Sequence, residues 1–360
     1  MRLLIVDDAT TDLDACRTSK ERWNRSHSGE SEISELVEIK TYPEACQYFK
    51  SHDVCAIDGI ILDLKLAEQA DAGQLLIDDL NAMHRRMPIV VFTATQDPLS
   101  FQYLLGAFKK GEKPYDVAFE RFETAQKVGL TKILGCDGVI DRQLKDIFDK
   151  AIVPRLDSWK EYVDTAGSEN AERALSRSVV MHLHEAMDED DAYAPDEFYV
   201  TLLSSKADGV VSGGIFTTRN AEGGVKHYVV MSPACDLVIR ADGKPKSPTV
   251  LLAGLEDFNP IYEKTCEGMI KADAKKKQMT KLERNEYAGY YHYFPAAVGL
   301  NRMLLNFREL TTVPYASMGT SYSPTGYCVS PYFFRDVQSR FSAYYGRQGQ
   351  PEIAHSQESR

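Results

Sequence analysis

The first half of this 360-residue chain predicts an α/β fold, a doubly wound parallel sheet. Three observations carry it. Residues 3–6 (LLIV), 59–62 (GIIL) and 89–92 (IVVF) are short apolar runs of the length of fully buried strands. Amphipathic segments at 12–23, 43–50 and 74–85 lie between them, as βαβ units require. Each run ends in polar residues: Asp7 and Asp8, then Asp63, then Thr93. In parallel sheets the ligand site forms at the carboxyl ends of the strands, where these side chains fall.

Composition sets the remaining bounds. At 43% hydrophobic and 26% charged residues, the chain has a globular composition and length for two or three domains. A formal net charge of -11 repels phosphate backbones, and the densest basic run, at 271–281, is short, so nucleic acid is not an expected partner. The seven cysteines are scattered, without a CxxC pair, so neither a zinc knuckle nor a disulfide framework is expected. No apolar stretch reaches the length of a membrane span and no signal-type segment opens the chain. A cytoplasmic protein with reduced thiols is the simplest expectation.

Composition changes after Pro154. Residues 158–175 are expected to be a linker or connecting helix between a domain over 1–157 and a second one over 176–346, with a disordered tail at 347–360. In the second domain an acidic loop at 187–191 precedes β-rich runs from Phe198 onward. These are separated by turns such as those beginning at Ala221 and Ala241 and interrupted by a helix over 264–284. Another helix over 331–345 closes it. An α+β, β-rich domain with an antiparallel sheet or small barrel follows.

Phosphorylating a carboxylate requires a divalent cation to offset phosphoryl charge, an in-line nucleophilic carboxylate, and a hydroxyl and a cation to meet the phosphoryl oxygens. The segments LLIVDD, GIILDLKL and PIVVFTAT, with Thr93 thirty positions after Asp63, resemble the receiver domains of two-component response regulators. That flavodoxin-like family carries an acidic pair after strand one, the acceptor Asp after strand three, Thr or Ser after strand four and Lys after strand five. The resemblance implies that Asp63 is the phosphoacceptor, and that Asp7, Asp8, Asp63 and the backbone carbonyl of Lys65 hold Mg2+. Thr93 would contact the phosphoryl group. It further implies a sensor histidine kinase or phosphotransfer protein as donor, with a downstream protein effector or a phosphate-sink role, as in some bacterial antiphage phosphorelays.

The fifth strand departs from the pattern. Lys113-Pro114 stands at a suitable distance, but FKKGEK is a poor buried strand. The alternative places the strand at 135–140 (GCDGVI), which requires an insertion around 110–132 and leaves Arg142 or a Lys from the insertion as the cation. The second makes the better strand and helix. Arginine is a bulkier planar donor, so phosphotransfer would differ.

In the second domain, YVVMSPACDLV (228–238) offers Cys235 as a nucleophile beside His227 or His292 with Asp236 as orienter. That would make a phosphorylation-gated hydrolase or nuclease. A small Cys in a turn, with Asp236 capping backbone donors, is the plainer reading. His182, His184 and Glu185 form a possible metal cluster, or an ordinary helix face. The β-rich runs loosely resemble small SH3-like barrels of bacterial conflict and toxin proteins. No recognition helix, Walker loop or kinase signature appears. A pseudo-receiver scaffold without phosphotransfer is a third class.

Overall fold

In the computed structural model the residues described are 1–66, 71–83, 86–94, 104–188, 192–203, 209–219 and 223–347, the side chain of His52 excepted. The expected tail, the end of the acidic loop at 187–191 and the start of the turn at Ala221 lie outside them. The chain divides into two compact units, Met1–Glu189 and Asp190–Arg360.

The first unit is built on β1 (Arg2–Val6), α1 (Thr10–Ser26), β2 (Glu35–Ile39), α2 (Tyr42–Lys50), β3 (Gly59–Leu62), α3 (Ala72–Ala82), β4 (Ile89–Thr93), β5 (Leu104–Lys109) and α4 (Asp116–Lys127). The five strands form one parallel sheet in the order β2-β1-β3-β4-β5. That is the flavodoxin-like doubly wound order.

Strand alternation explains why the central runs read as continuously apolar. Leu4, Val6, Ile60, Leu62, Ile89 and Val91 face α2 and α3, where Phe49 and Leu76 meet them. Leu3, Ile5, Ile61, Val90 and Phe92 face α1 and α4, against Leu13, Trp23, Phe119 and Phe122. Burial of each such side chain contributes about 1.5–3 kcal/mol, so the three inner strands hold the sheet on both faces. Gly59 is required there: a Cβ would lie 2.3 Å from the Phe122 ring.

The fifth strand is Leu104–Lys109, not 135–140. It is half-exposed because it is an edge strand, hydrogen-bonded only to β4, which is why it does not read as a buried run. Gly135 and Cys136 instead lead into a helix that begins at Val139. No insertion over 110–132 is needed, since α4 occupies that stretch and fills one face of the sheet with Ala118, Phe119 and Phe122.

Helices α5 (Leu130–Leu134), α6 (Val139–Ile147), α7 (Leu156–Ala166) and α8 (Ser168–Met187) extend this unit, with α8 against α6 and α7. The expected linker at 158–175 is therefore helical, broken only at Gly167, whose φ is +83°. The boundary between compact units falls at residue 189.

The second unit is one curled antiparallel sheet of seven strands, a half-barrel rather than a closed small barrel. Its elements are β6 (Tyr199–Thr201), β7 (Gly214–Arg219), β8 (Val225–Val230), β9 (Thr249–Asp257), α9 (Phe258–Thr265), α10 (Ala272–Glu283), β10 (Tyr291–Phe294), β11 (Met303–Pro314), β12 (Ser323–Val329) and α11 (Pro331–Gly346). The strand order is β10-β11-β9-β8-β7-β12-β6. Ala253 and Leu255 of β9 face a core that α11 completes with Phe334 and Val337, while Val250 and Leu252 face the opposite cluster with Phe216 and Val230. Among the described residues no helix is long and apolar enough to cross a membrane.

Candidate functional site

Backbone hydrogen bonds tie the carboxyl ends of the first unit's strands to their neighbours, β1 to β2, β3 to β1 and β5 to β4. Asp7 N–H donates to Ile39 O, Asp63 N–H to Val6 O, and Lys110 N–H to Thr93 O, each at 3.0 Å. Sheet register thus brings Asp7, Asp63, Thr93 and Lys110 to one edge from positions as much as a hundred residues apart. The first three are nearly buried.

Carboxylate oxygens of Asp7, Asp8 and Asp63 lie within 4.8 Å of one another. Three convergent oxygen donors suit a hard divalent cation such as Mg2+ or Mn2+ better than a soft metal, so the residues present fit such an ion. Asp63 Oδ1 accepts the Lys65 backbone N–H at 3.2 Å, and the Lys65 side chain is exposed. Gly73 lets α3 approach this loop: a Cβ there would sit 2.4 Å from Leu64 Cα and 2.8 Å from Asp63 O.

The cation beside Asp63 is Lys110, the residue directly after β5, and not Arg142 or Lys113. Its Nζ lies 2.7 Å from Asp63 Oδ2, 2.7 Å from Asp7 Oδ2 and 2.8 Å from Asp12 Oδ2. Arg142 is exposed on α6 and donates to Asp137 O at 2.6 Å. Lys113 is exposed in the β5–α4 loop and lines a cleft of about 370 Å³ with Asp12, Lys110 and Tyr115. The signal for Lys110 is the short, weakly apolar run LLGAF two residues before it.

Burial opposes the charge on Lys110, but hydrogen bonds to Asp12, Asp63 and Asp7 outweigh it and raise the ammonium's pKa. Burial pushes the Asp7 carboxyl up, reinforced by the charge of Asp63 and opposed by Lys110 and the Ala9 N–H. The 2.7 Å contact between the two is that of a charge-assisted bond. Among the described residues Thr93 Oγ1 is buried without a hydrogen-bond partner. An orphaned hydroxyl at this edge is a donor with nothing yet to donate to.

The second unit does not assemble the Cys-His-Asp constellation. Cys235 is exposed, with Sγ 3.7 Å from Asp236 Oδ1, and Asp236 pairs with Lys246 at 3.3 Å. His292 is buried, its Nε2 3.0 Å from Asp336 Oδ2 and its Nδ1 3.0 Å from Tyr293 O, so both nitrogens are engaged elsewhere. His227 lies on β8 opposite Leu255, and burial lowers its pKa. His182 and Glu185 line a shallow cleft with Asp146 and Lys150. Among the described residues the group able to hold a metal is Asp7, Asp8 and Asp63, which leaves His182, His184 and Glu185 as a helix face.

Comparison with known proteins bears on the first unit. No protein-family profile and no curated protein matches the chain. Among solved structures, a signal receiver domain of a LuxO repressor protein from Vibrio parahaemolyticus is similar at 17% identity and a TM-score of 0.27, over 36% of this chain and 96% of that one. A response regulator receiver domain from Clostridium thermocellum is similar at 16% identity and a TM-score of 0.28, over 35% and 97%. The Mn2+-bound form of the response regulator Rcp1 matches at 16% identity and a TM-score of 0.26, over 35% and 91%. The matched part lies in the N-terminal unit, and the C-terminal unit has no counterpart among them.

Proposed function

We propose that the first unit is a phosphoacceptor of a two-component phosphorelay. Asp63 takes the phosphoryl group from a phosphohistidine of a sensor histidine kinase or phosphotransfer protein. The observation that carries this reading is the Lys110 ammonium, which bridges Asp63 and Asp7 at 2.7 Å each within a cluster of carboxylates. A lysine so placed offsets charge where the phosphoryl group arrives, while the other oxygen of Asp63, Oδ1, accepts the longer 3.2 Å bond from the Lys65 N–H and is the one positioned for attack.

Asp63 attacks phosphorus through one carboxylate oxygen, a new O–P bond forms, and the P–N bond to the donor imidazole breaks. The imidazole keeps the electron pair and takes a proton. Asp7, Asp8 and Asp63 would hold Mg2+, with the Lys65 carbonyl as a further ligand. When bound, the ion offsets the negative charge of the phosphoryl oxygens. Lys110 then bonds one phosphoryl oxygen, and the orphaned Thr93 hydroxyl donates to another. Output runs through protein contacts or ends at the phosphoryl group itself, as in a phosphate sink, with antiphage phosphorelays as one setting for such a protein.

The test is phosphorylation by acetyl phosphate with Mg2+, read by intact mass, comparing wild type with Asp63→Ala. The expected result is one phosphoryl adduct, absent from the variant, whose lifetime separates a signal holder from a sink. No adduct, together with no binding of beryllofluoride, overturns the reading in favour of a scaffold.

A further inference from the structure

We infer that Asp12 is a positioning residue for phosphotransfer, one that keeps Lys110 aimed at Asp63 throughout the cycle. This deepens the phosphoacceptor reading and rests on it. The argument starts from donor and acceptor numbers. A lysine ammonium has three N–H donors, and Lys110 faces three carboxylates, those of Asp7, Asp12 and Asp63, at 2.7, 2.8 and 2.7 Å.

Two of the three change occupation during the reaction. Asp7 and Asp63 belong to the oxygen cluster that suits a metal ion, and Asp63 is also the nucleophile. A bound cation and then a phosphoryl group both draw on the oxygens that Lys110 contacts. Asp12 stands outside that cluster, in the first turn of α1, so its bond to Lys110 persists when the other two are redirected.

Packing leaves the Lys110 side chain 17% exposed, but its backbone stands at the margin of the sheet. It follows an edge strand and precedes an exposed loop in which Gly111 has a φ of +79°. A free lysine side chain carries about 2 kcal/mol of rotamer entropy. Asp12 is well based, since its neighbours Leu13 and Cys16 are fully buried in the core between α1 and the sheet. An acidic residue in the first turn of a helix also favours that helix through the macrodipole. A purely structural role of that kind acts independently of Lys110, and this separates the two.

The experiment follows adduct formation on the full chain from acetyl phosphate with Mg2+, in wild type, Asp12→Asn, Asp12→Glu, Lys110→Ala and the Asp12→Asn/Lys110→Ala double variant. Beryllofluoride-induced shifts in melting temperature give a second readout in each background. Asp12→Asn is expected to slow adduct formation about tenfold, with Asp12→Glu recovering most of the loss. The Asn change should have no further effect once Lys110 is alanine, the non-additivity of residues that act as one unit. Wild-type rates in Asp12→Asn, or an equal slowing with and without Lys110, overturn the inference while leaving the phosphoacceptor reading intact. A wild type that forms no adduct sinks that reading instead.

Discussion

Lys110 Nζ and Asp63 Oδ2 stand 2.7 Å apart, joining the end of an edge strand to the end of a central one. This contact decides which cation serves the site. Lys110→Ala is expected to slow adduct formation from acetyl phosphate by about 10- to 100-fold, the worth of one hydrogen bond to a charged group. Lys110→Arg should not restore it, because the planar guanidinium does not fit a point-charge position among three carboxylates. Arg142→Ala and Lys113→Ala should stay within about twofold of wild type, as side chains outside these contacts ordinarily do. Rates measured side by side by intact mass check all four, and a large loss in Arg142→Ala would return the cation to α6.

How much of this was legible in the sequence depends on burial. β1, β3 and β4 are buried on both faces, and their runs LLIV, GIIL and IVVF announce themselves. Asp7, Asp8, Asp63 and Thr93 follow them directly, so the acidic half of the site was readable. The edge strands were not. β2 (ELVEI) and β5 (LLGAFK) each pair on one side only and stay partly exposed, which dilutes the apolar signal. Missing β5 meant missing Lys110, because the residue is recognisable only as the one after that strand. Asp12 was hidden for another reason. Its role depends on α1 crossing the end of β5, a contact between residues 98 apart that no local pattern encodes. In the second unit β12 carries a weak strand signal because it contains Pro324 and Gly326, at the irregularity in its pairing with β7.

The acidic cluster should make the first unit's stability depend on a divalent cation. Bringing Asp7, Asp8 and Asp63 within 4.8 Å costs repulsion that one ammonium offsets only in part. A cation that binds the folded state stabilises it by about 2.7 kcal/mol at a hundred times its dissociation constant. For a unit of this size that is roughly 5–10 °C in melting temperature. Titration of Mg2+ into the metal-free protein, followed by calorimetry, should show the rise in wild type and lose most of it in Asp8→Asn. A melting temperature flat to millimolar Mg2+ would remove the metal from the site.

Gly73 offers a steric test of the acceptor loop. The Cβ of an alanine would meet the backbone of Leu64 and Asp63 at 2.4 and 2.8 Å, and neither atom is the end of a flexible side chain. Gly73→Ala should therefore destabilise the first unit by about 1–3 kcal/mol. It should also slow phosphorylation, since relief comes by pushing the Asp63 loop away from α3. Urea denaturation and adduct kinetics on one preparation check both. Unchanged stability would mean that α3 shifts instead.

In the second unit the acid sensitivity should centre on Asp336. The hydrogen bond from His292, opposed by partial burial and aided by Arg340, lowers its carboxyl to about 2. The unfolded chain has an ordinary carboxyl near 3.9 and so binds the proton first as pH falls. Stability from this group is fully present above about pH 4 and is lost progressively as pH drops through the folded value near 2. The Asp336 side chain is 52% exposed, so solvent screening reduces the effect below what the shift alone implies. Asp336→Asn should lower stability at pH 6 and flatten its dependence between pH 4 and 2. Thermal melts across that range, wild type against variant, carry the test. Parallel slopes would show that another carboxylate governs acid unfolding.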